Sequence, residues 1–457
     1  MHSTPPSSLP ESPSLPKTSS VSRRDFLKKT TSAVAAGGVA PLFLKSSVAL
    51  AAPGQSKNDR PVIGIIGAGG RMKKLISAAK PLSDLVAVCD VDAKHAEAGK
   101  AQIGGNPDLY SHYEELIGRD DLDAVIIGTP DHWHSKISID ALRAGKHVYC
   151  EKPLTLTIHE GKQICKVVEE TGKTFQVGTQ QRSEYLDKKL KIPQFLLAVA
   201  LCHEGRLGKI RRVQCAIDEA PAGGPFETAP VPQELDWEQW LGQAPMTSYI
   251  PERCHWGFRW WYEYSGGKMT DWGAHHVDIA QWAIQMTDSG PTHIEGTATF
   301  PEQIPNGYNT ALKFFVTCKF PQDIEMVIRS DTDNGILIEG DRGRIFVNRG
   351  RISGKPVEDL AHNPLPEGSL EKLYKGMPLE KNHMKNFLDC MKSGQEPVSD
   401  VFSHHRSLST CHLANIAIRL GRAVEWDPQS QQVVGDSEAQ AMLRREERSP
   451  YAIDVEV

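Results

Sequence analysis

The sequence predicts a two-domain chain: an α/β domain with a doubly wound parallel sheet, then an α+β domain with an open, mostly antiparallel sheet. Three observations predict it. Between residues 60 and 180, short apolar runs alternate with helical stretches, an order that demands right-handed crossovers and a parallel sheet. From residue 210 to 347 the runs alternate apolar with polar residues and meet at tight turns, as antiparallel strands do. The length of 457 residues also fits two or three domains of ~100–200 residues each.

The first strand, Pro61 to Ile66, ends at Gly67-Ala68-Gly69-Gly70-Arg71-Met72, and Lys73 to Ala79 starts a helix. Strand, glycine turn and helix in this order form a Rossmann dinucleotide fingerprint. Gly67 permits the tight turn and Gly69 lets the backbone approach a pyrophosphate, favoured by the helix amides and dipole. Met72 stands where the third glycine belongs. Leu85 to Cys89 is the second strand and Asp90 follows it, 23 residues beyond Gly67. A carboxylate at about that offset meets the adenosine ribose, which favours NAD over NADP, although Lys94 keeps NADP open. Ala124 to Gly128 leads to Thr129-Pro130-Asp131-His132-Trp133-His134 and a helix from Ser135 to Ala144; His147 to Cys150 leads to Glu151-Lys152-Pro153. Ligands gather at the carboxyl ends of such strands, so Thr129, Pro130, His134, Glu151 and Lys152 join Gly67, Gly69, Gly70, Arg71, Met72 and Asp90 as cofactor-binding candidates.

In the second domain, residues 184 to 206 read as a helix and Ile210 to Ile217 as a strand. Further strands follow at Ile294 to Phe300, Ala311 to Phe320, Ile324 to Arg329 and Gly335 to Val347, the last carrying a turn at Gly340 to Gly343. Lys381 to Lys392 and His404 to Arg422 are helical returns, with His404-His405 expected at the surface. The divisions expected are a signal region 1–51, a dinucleotide domain 60–180, a substrate and oligomerisation domain 181–425, and a peripheral tail 426–457.

Composition excludes other classes. A formal charge of −5 is too near neutral for electrostatic capture of a nucleic acid. Nine cysteines without a CxxC pair indicate neither a disulfide scaffold nor a zinc finger, and read as buried small apolar residues. Ser22-Arg23-Arg24-Asp25-Phe26-Leu27-Lys28, an uncharged stretch from Thr30 to Leu44 and Ala49-Leu50-Ala51 together look like a twin-arginine export signal. The interrupted stretch is too short to span a bilayer, so the expected location is the periplasm or another exported compartment.

Glu151-Lys152-Pro153, the glycine turn, Thr129 to His134 and Asp271-Trp272-Gly273-Ala274-His275-His276 together resemble the Gfo/Idh/MocA oxidoreductase family. The resemblance implies that Lys152 lies beside nicotinamide and substrate, that Asp271 and His275 carry the proton, and that the open sheet builds a homo-oligomer. Chemistry independent of the resemblance agrees. Moving a hydride from a carbinol carbon leaves a proton on oxygen, which needs a base and a cationic donor. Asp271 and His275 are four apart, so on one helix they share a face, with Asp271 as the partner of His275. The same spacing also suits zinc, but no metal site is expected. The aromatic concentration from Trp237 to Trp282 could stack on a sugar or pack as core, and Arg182, Trp260, Tyr262 and His276 are the substrate candidates. Outside the cytoplasm nicotinamide is not freely exchanged, so the bound NAD(P) must be retained and recycled. The expected reaction is hydride transfer between that cofactor and a sugar or polyol. The alternatives are NAD-dependent glycoside cleavage through transient sugar oxidation, and a catalytically inactive sugar-binding protein.

Overall fold

A computed structural model describes residues 60–457; the export signal expected over residues 1–51 falls outside the described residues. The first sheet comprises β1 (Val62–Ile66), β2 (Asp84–Cys89), β3 (Asp108–Tyr110), β4 (Ala124–Ile127), β5 (His147–Cys150) and β6 (Phe175–Val177). Their spatial order is β3-β2-β1-β4-β5-β6, and all neighbours run parallel. The order reverses between β1 and β4, which opens the crevice that doubly wound sheets use for dinucleotides. The strands are apolar on both faces because both are covered. Ile63, Ile65, Ala124 and Ile126 pack under the helix Met72–Ala79 and the returning helix His383–Ser393, whereas Ile66, Val125, Ile127 and Val148 face Ile137 and Ile164 on the opposite side.

The second sheet has nine strands: β7 (Ile210–Ala216), β8 (His293–Thr299), β9 (Lys313–Phe320), β10 (Ile324–Arg329), β11 (Gly335–Gly340), β12 (Gly343–Val347), β13 (Ile352–Ser353), β14 (Val424–Asp427) and β15 (Gln432–Val433). Only β7 and β10 pair in parallel; the other neighbours are antiparallel. The run expected from Gly335 to Val347 is thus the hairpin β11–β12, closed by Asp341 and Arg342 between the paired Gly340 and Gly343. Buried and exposed residues alternate along β9, so one face meets the helices and the other does not.

Three expectations need correction. The helix expected over 184–206 occupies only Gln194–His203. Pro193 supplies no amide to an earlier turn and biases Ile192 away from helical geometry, while Tyr185 and Lys191 take positive φ values of 63° and 58°. His404 and His405 are buried rather than exposed, because the helix Val401–Leu420 is covered on nearly every side. Gly161 has no side chain where His405 packs, and a Cβ there would stand 2.1 Å from His405 Nδ1. The tail is not peripheral either. Tyr451 packs edge-on against Trp133 at 5.5 Å, Gln163 Nε2 donates to the Val455 carbonyl at 2.8 Å, and Lys166 Nζ donates to that of Glu456 at 2.7 Å. Eight of the nine cysteines are buried and Cys165 is half-buried, all with free thiols.

Candidate active site

The crevice at the ends of β1, β2, β4 and β5 continues into a cavity of about 590 Å³ that reaches the second domain. Its nucleotide-like end is backbone. Gly67 has φ +81°, and a Cβ there would lie 2.7 Å from the Thr129 amide nitrogen, so only glycine fits the turn. A Cβ on Gly70 would face open space, and one on Gly69 would lie 4.0 Å from the His95 ring. Asp90 accepts from the amides of Ala68 at 2.6 Å and Asp92 at 2.9 Å, and burial pushes its carboxyl above the ordinary range. Met72 does not line the cavity. Its side chain lies beneath the turn, with Cε where Gly128 lacks a Cβ, so a glycine on β4's exit relieves the crowding that the third fingerprint glycine would otherwise prevent. Lys94, the reason for keeping NADP open, is paired with Glu234.

The same end holds polar atoms with no protein partner: Thr129 Oγ1 and Arg71 Nε are buried and unbonded. Open glycine amides, a carboxylate at the end of β2 and unpaired donors in the wall are what an NAD-type ligand requires, so the residues present fit that group. Arg71 pairs with Glu151 at 2.9 Å, and Gln180 Nε2 donates to Glu151 at 2.8 Å. His134 is buried out of the cavity, with Nδ1 2.7 Å from the Pro153 carbonyl and Nε2 3.0 Å from that of Thr129. It ties the two loops together rather than touching what they hold. Pro130 lines the cavity beside Thr129.

At the other end Lys152, Asp271 and His275 line one wall region. Lys152 Nζ donates to Asp271 Oδ1 at 2.5 Å and to the Asp271 carbonyl at 2.9 Å. Asp271 is therefore the partner of Lys152 and not, as expected, of His275. The reason is local: the short helix Lys268–Asp271 ends there and a second helix, Gly273–Ala283, restarts after Trp272, while an ammonium stands within reach from the first domain. Burial alone would raise the Asp271 carboxyl; Lys152 and Arg259 outweigh it and hold it below its ordinary value. Burial, and then the charge of Lys152 and of Arg349, keep His275 well below the ordinary imidazole range. It is a neutral base whose Nδ1 has no protein partner.

Asp131 also lines the cavity. One oxygen accepts from Ser265 Oγ at 2.6 Å, and burial pushes its carboxyl up to about 7, with Ser265, Arg259 and Lys152 acting against the rise. The sequence marks the loop that carries it but gives it no role. Arg349, from the turn after β12, lies over Trp272 at 4.5 Å and over Tyr185 at 4.9 Å, and no local pattern announces it. Trp256, 72% exposed, forms part of the rim with Arg259 over its ring at 4.4 Å.

None of the four expected substrate contacts lines the cavity. Arg182 is buried in a two-point ion pair with Asp278, at 2.7 and 2.6 Å. Trp260 is buried, and its carbonyl accepts from the Asn309 amide at 3.0 Å. Tyr262 is held between Arg419 and Arg445, at 3.3 and 4.0 Å from its ring centre. His276 is fully buried, since neighbours on a helix do not share a face. Most of the aromatic concentration is core: Trp237 and Trp240 stack at 4.7 Å, and Trp261 and Tyr264 pack with them.

A nucleotide crevice opening onto an ammonium–carboxylate pair and a neutral imidazole defines an NAD-binding oxidoreductase fold. Residues 62–179 match the family model described as oxidoreductase family, NAD-binding Rossmann fold, and residues 224–453 match its C-terminal alpha/beta domain; the chain belongs to the Gfo/Idh/MocA oxidoreductase family. An alpha-N-acetylgalactosaminidase from Shewanella oneidensis is 32% identical over 174 residues, a match covering 34% of this chain and 38% of that protein's length. The WlbA dehydrogenase from Bordetella pertussis, solved with NADH and UDP-GlcNAcA, superposes with TM-score 0.59 at 19% identity, over 80% of this chain and 99% of that one. The aldose-aldose oxidoreductase from Caulobacter crescentus gives 0.57 at 18%, over 80% and 99%. At that identity the two structures speak for the fold.

Proposed function

We propose that this chain transfers a hydride between a retained NAD(H) and a hydroxyl or carbonyl carbon of a neutral sugar or polyol, in an exported compartment. The observation that carries it is the single cavity joining the Gly67–Gly70 turn to Lys152, Asp271 and His275. When bound, the nicotinamide supplies a reversible hydride acceptor. His275, neutral and with an unpaired nitrogen, takes the hydroxyl proton as the carbinol is oxidised. Lys152, fixed by Asp271, points a cationic donor at the oxygen that gains negative charge. Asp131, able to hold a proton near neutrality, offers a second proton store in the same wall. Arg259 and the rim at Trp256 provide the polar and aromatic surface that a sugar presents itself to.

The paired arginines at Arg23-Arg24 and the Ala49-Leu50-Ala51 site support twin-arginine export, and the absence of free nicotinamide there is the reason for retention. The sheet face left uncovered among the described residues, with Phe315 38% exposed beneath Arg329, supports a homo-oligomer.

A second reading, glycoside cleavage by transient oxidation, is favoured by the likeness to a glycosidase. A carbonyl formed on the ring acidifies the adjacent C–H; a base removes that proton, the aglycone leaves, water adds, and the hydride returns. Purified full-length protein, denatured to release its nucleotide, tests both. One NAD(H) per chain, with its redox state changed by a sugar panel, is expected; aglycone release without net change assigns cleavage. No nucleotide and no activity sensitive to Lys152→Ala leaves only a binding protein and overturns the proposal.

A further inference from the structure

At the Asp90 end of the same cavity, His95 and His255 on the wall, with Asp92 behind them, form a donor cluster to which the hydride step itself gives no role. Asp92, His95 and His255 place one ligand-type atom each within 4.8 Å of one another. Asp92 Oδ1 caps the helix Ala93–Ile103 by accepting from the amides of Lys94 and His95 at 2.9 and 3.3 Å. Its other oxygen, Oδ2, is thereby turned to His255 Nε2 at 3.3 Å. That separation is close to the spacing of neighbouring ligand atoms around a tetrahedral ion with bonds of ~2.0–2.1 Å. The two imidazole ring centres lie 4.4 Å apart. Asp90 Oδ2, which accepts from the Ala68 amide, stands 3.7 Å from His95 Nδ1, a charge neighbour and not a hydrogen-bond partner.

A second observation is backbone. His255 has φ +50°, in the left-handed region that non-glycine residues seldom occupy and that persists where surroundings impose it. That conformation brings the imidazole from the loop before Trp256 to the start of a helix in the first domain. Two imidazoles and a carboxylate, open on the solvent side where His255 keeps 43% of its side chain exposed, suit a borderline cation with water completing the shell.

We propose that Asp92, His95 and His255 bind one zinc-class divalent cation, which pins the loop carrying Trp256, Phe258 and Arg259 to the first domain across the crevice. The geometry needs nothing from the redox reading, and the test reads metal alone. Untagged full-length protein, stripped with a chelator and exchanged into buffer, is titrated calorimetrically with zinc chloride. One ion per chain is expected, with affinity reduced at least tenfold in His255→Gln and in His95→Gln; Asp92→Asn, which retains a capping oxygen, is expected to weaken it likewise. X-ray absorption of the zinc-loaded wild type is expected to show two imidazoles and no thiolate, a readout that does not depend on any variant folding. No stoichiometric binding, a thiolate shell, or undiminished affinity in both folded histidine variants overturns the proposal.

Discussion

Lys152 and Asp271 neutralise each other across two domains, so removing either leaves a buried charge without its main partner. Lys152→Ala deprives Asp271 of the ammonium at 2.5 Å and leaves Arg259, at 3.7 Å, as the nearby cation. Turnover is expected to fall by ~10²–10³-fold, the usual cost of removing one donor to a developing oxyanion, while bound nucleotide per chain is unchanged; stopped-flow reduction of the nucleotide checks the first and denaturing release the second. Asp131 makes a separate prediction. Its carboxyl, raised to about 7 by burial, is neutral below that pH and charged above it, whereas His275 lies well below this range. An inflection near pH 7 in kcat is therefore expected to belong to Asp131, and a pH series on Asp131→Asn should lose it. An unchanged inflection would assign it elsewhere.

Between elements, the strongest single tie is Arg182 with Asp278, which joins the turn after β6 to the helix Gly273–Ala283 and, through Ser403 and His404, to the helix Val401–Leu420. Arg182→Met strands a fully buried carboxylate, a change that costs ~3–5 kcal/mol, and should lower the thermal midpoint without altering the nucleotide bound per folded chain. The same pair explains what could be read in advance. The first sheet was legible because its strands are continuous apolar runs and its glycine turn, Asp90 and Lys152 sit at fixed offsets from strand ends. The Arg182 reading failed because a sequence shows a cation near aromatics but not the Asp278 that removes it from solvent. The Asp271–His275 partnership assumed one unbroken helix, and the break at Trp272 is set by packing. Arg349 and Asp131 were missed because only tertiary approach brings a turn beyond β12 and a loop after β4 to Lys152. Helix 184–206 failed by a local rule, since Pro193 stands inside it.

Over the whole molecule, the buried histidines make folding sensitive to acid. Burial holds His132, His383 and His405 down to about 4, and His276 and His412 down to about 3, against ~6.5 in an unfolded chain. Each is neutral in the fold and protonated more readily when unfolded, so its contribution is complete above pH ~6.5 and is lost as pH falls towards the folded value. Between pH 6.5 and 5 each imidazole therefore gives up part of its contribution to stability. Two carboxyls act the other way. Asp131 and Glu160 are raised to about 7 by burial, so the fold holds their protons more tightly than the unfolded chain does and gains stability over the same interval. The lowered imidazoles, His147 at about 4 among them, outnumber these two carboxyls, so the net change over the interval is a loss of stability. The thermal midpoint, followed by calorimetry at constant ionic strength, is expected to fall steadily from pH 6.5 to 5. His412→Gln, which removes an imidazole whose Nε2 is buried without a partner, should make that fall shallower, and a midpoint that is flat or rising over the interval would mean that these histidines are already charged in the folded protein.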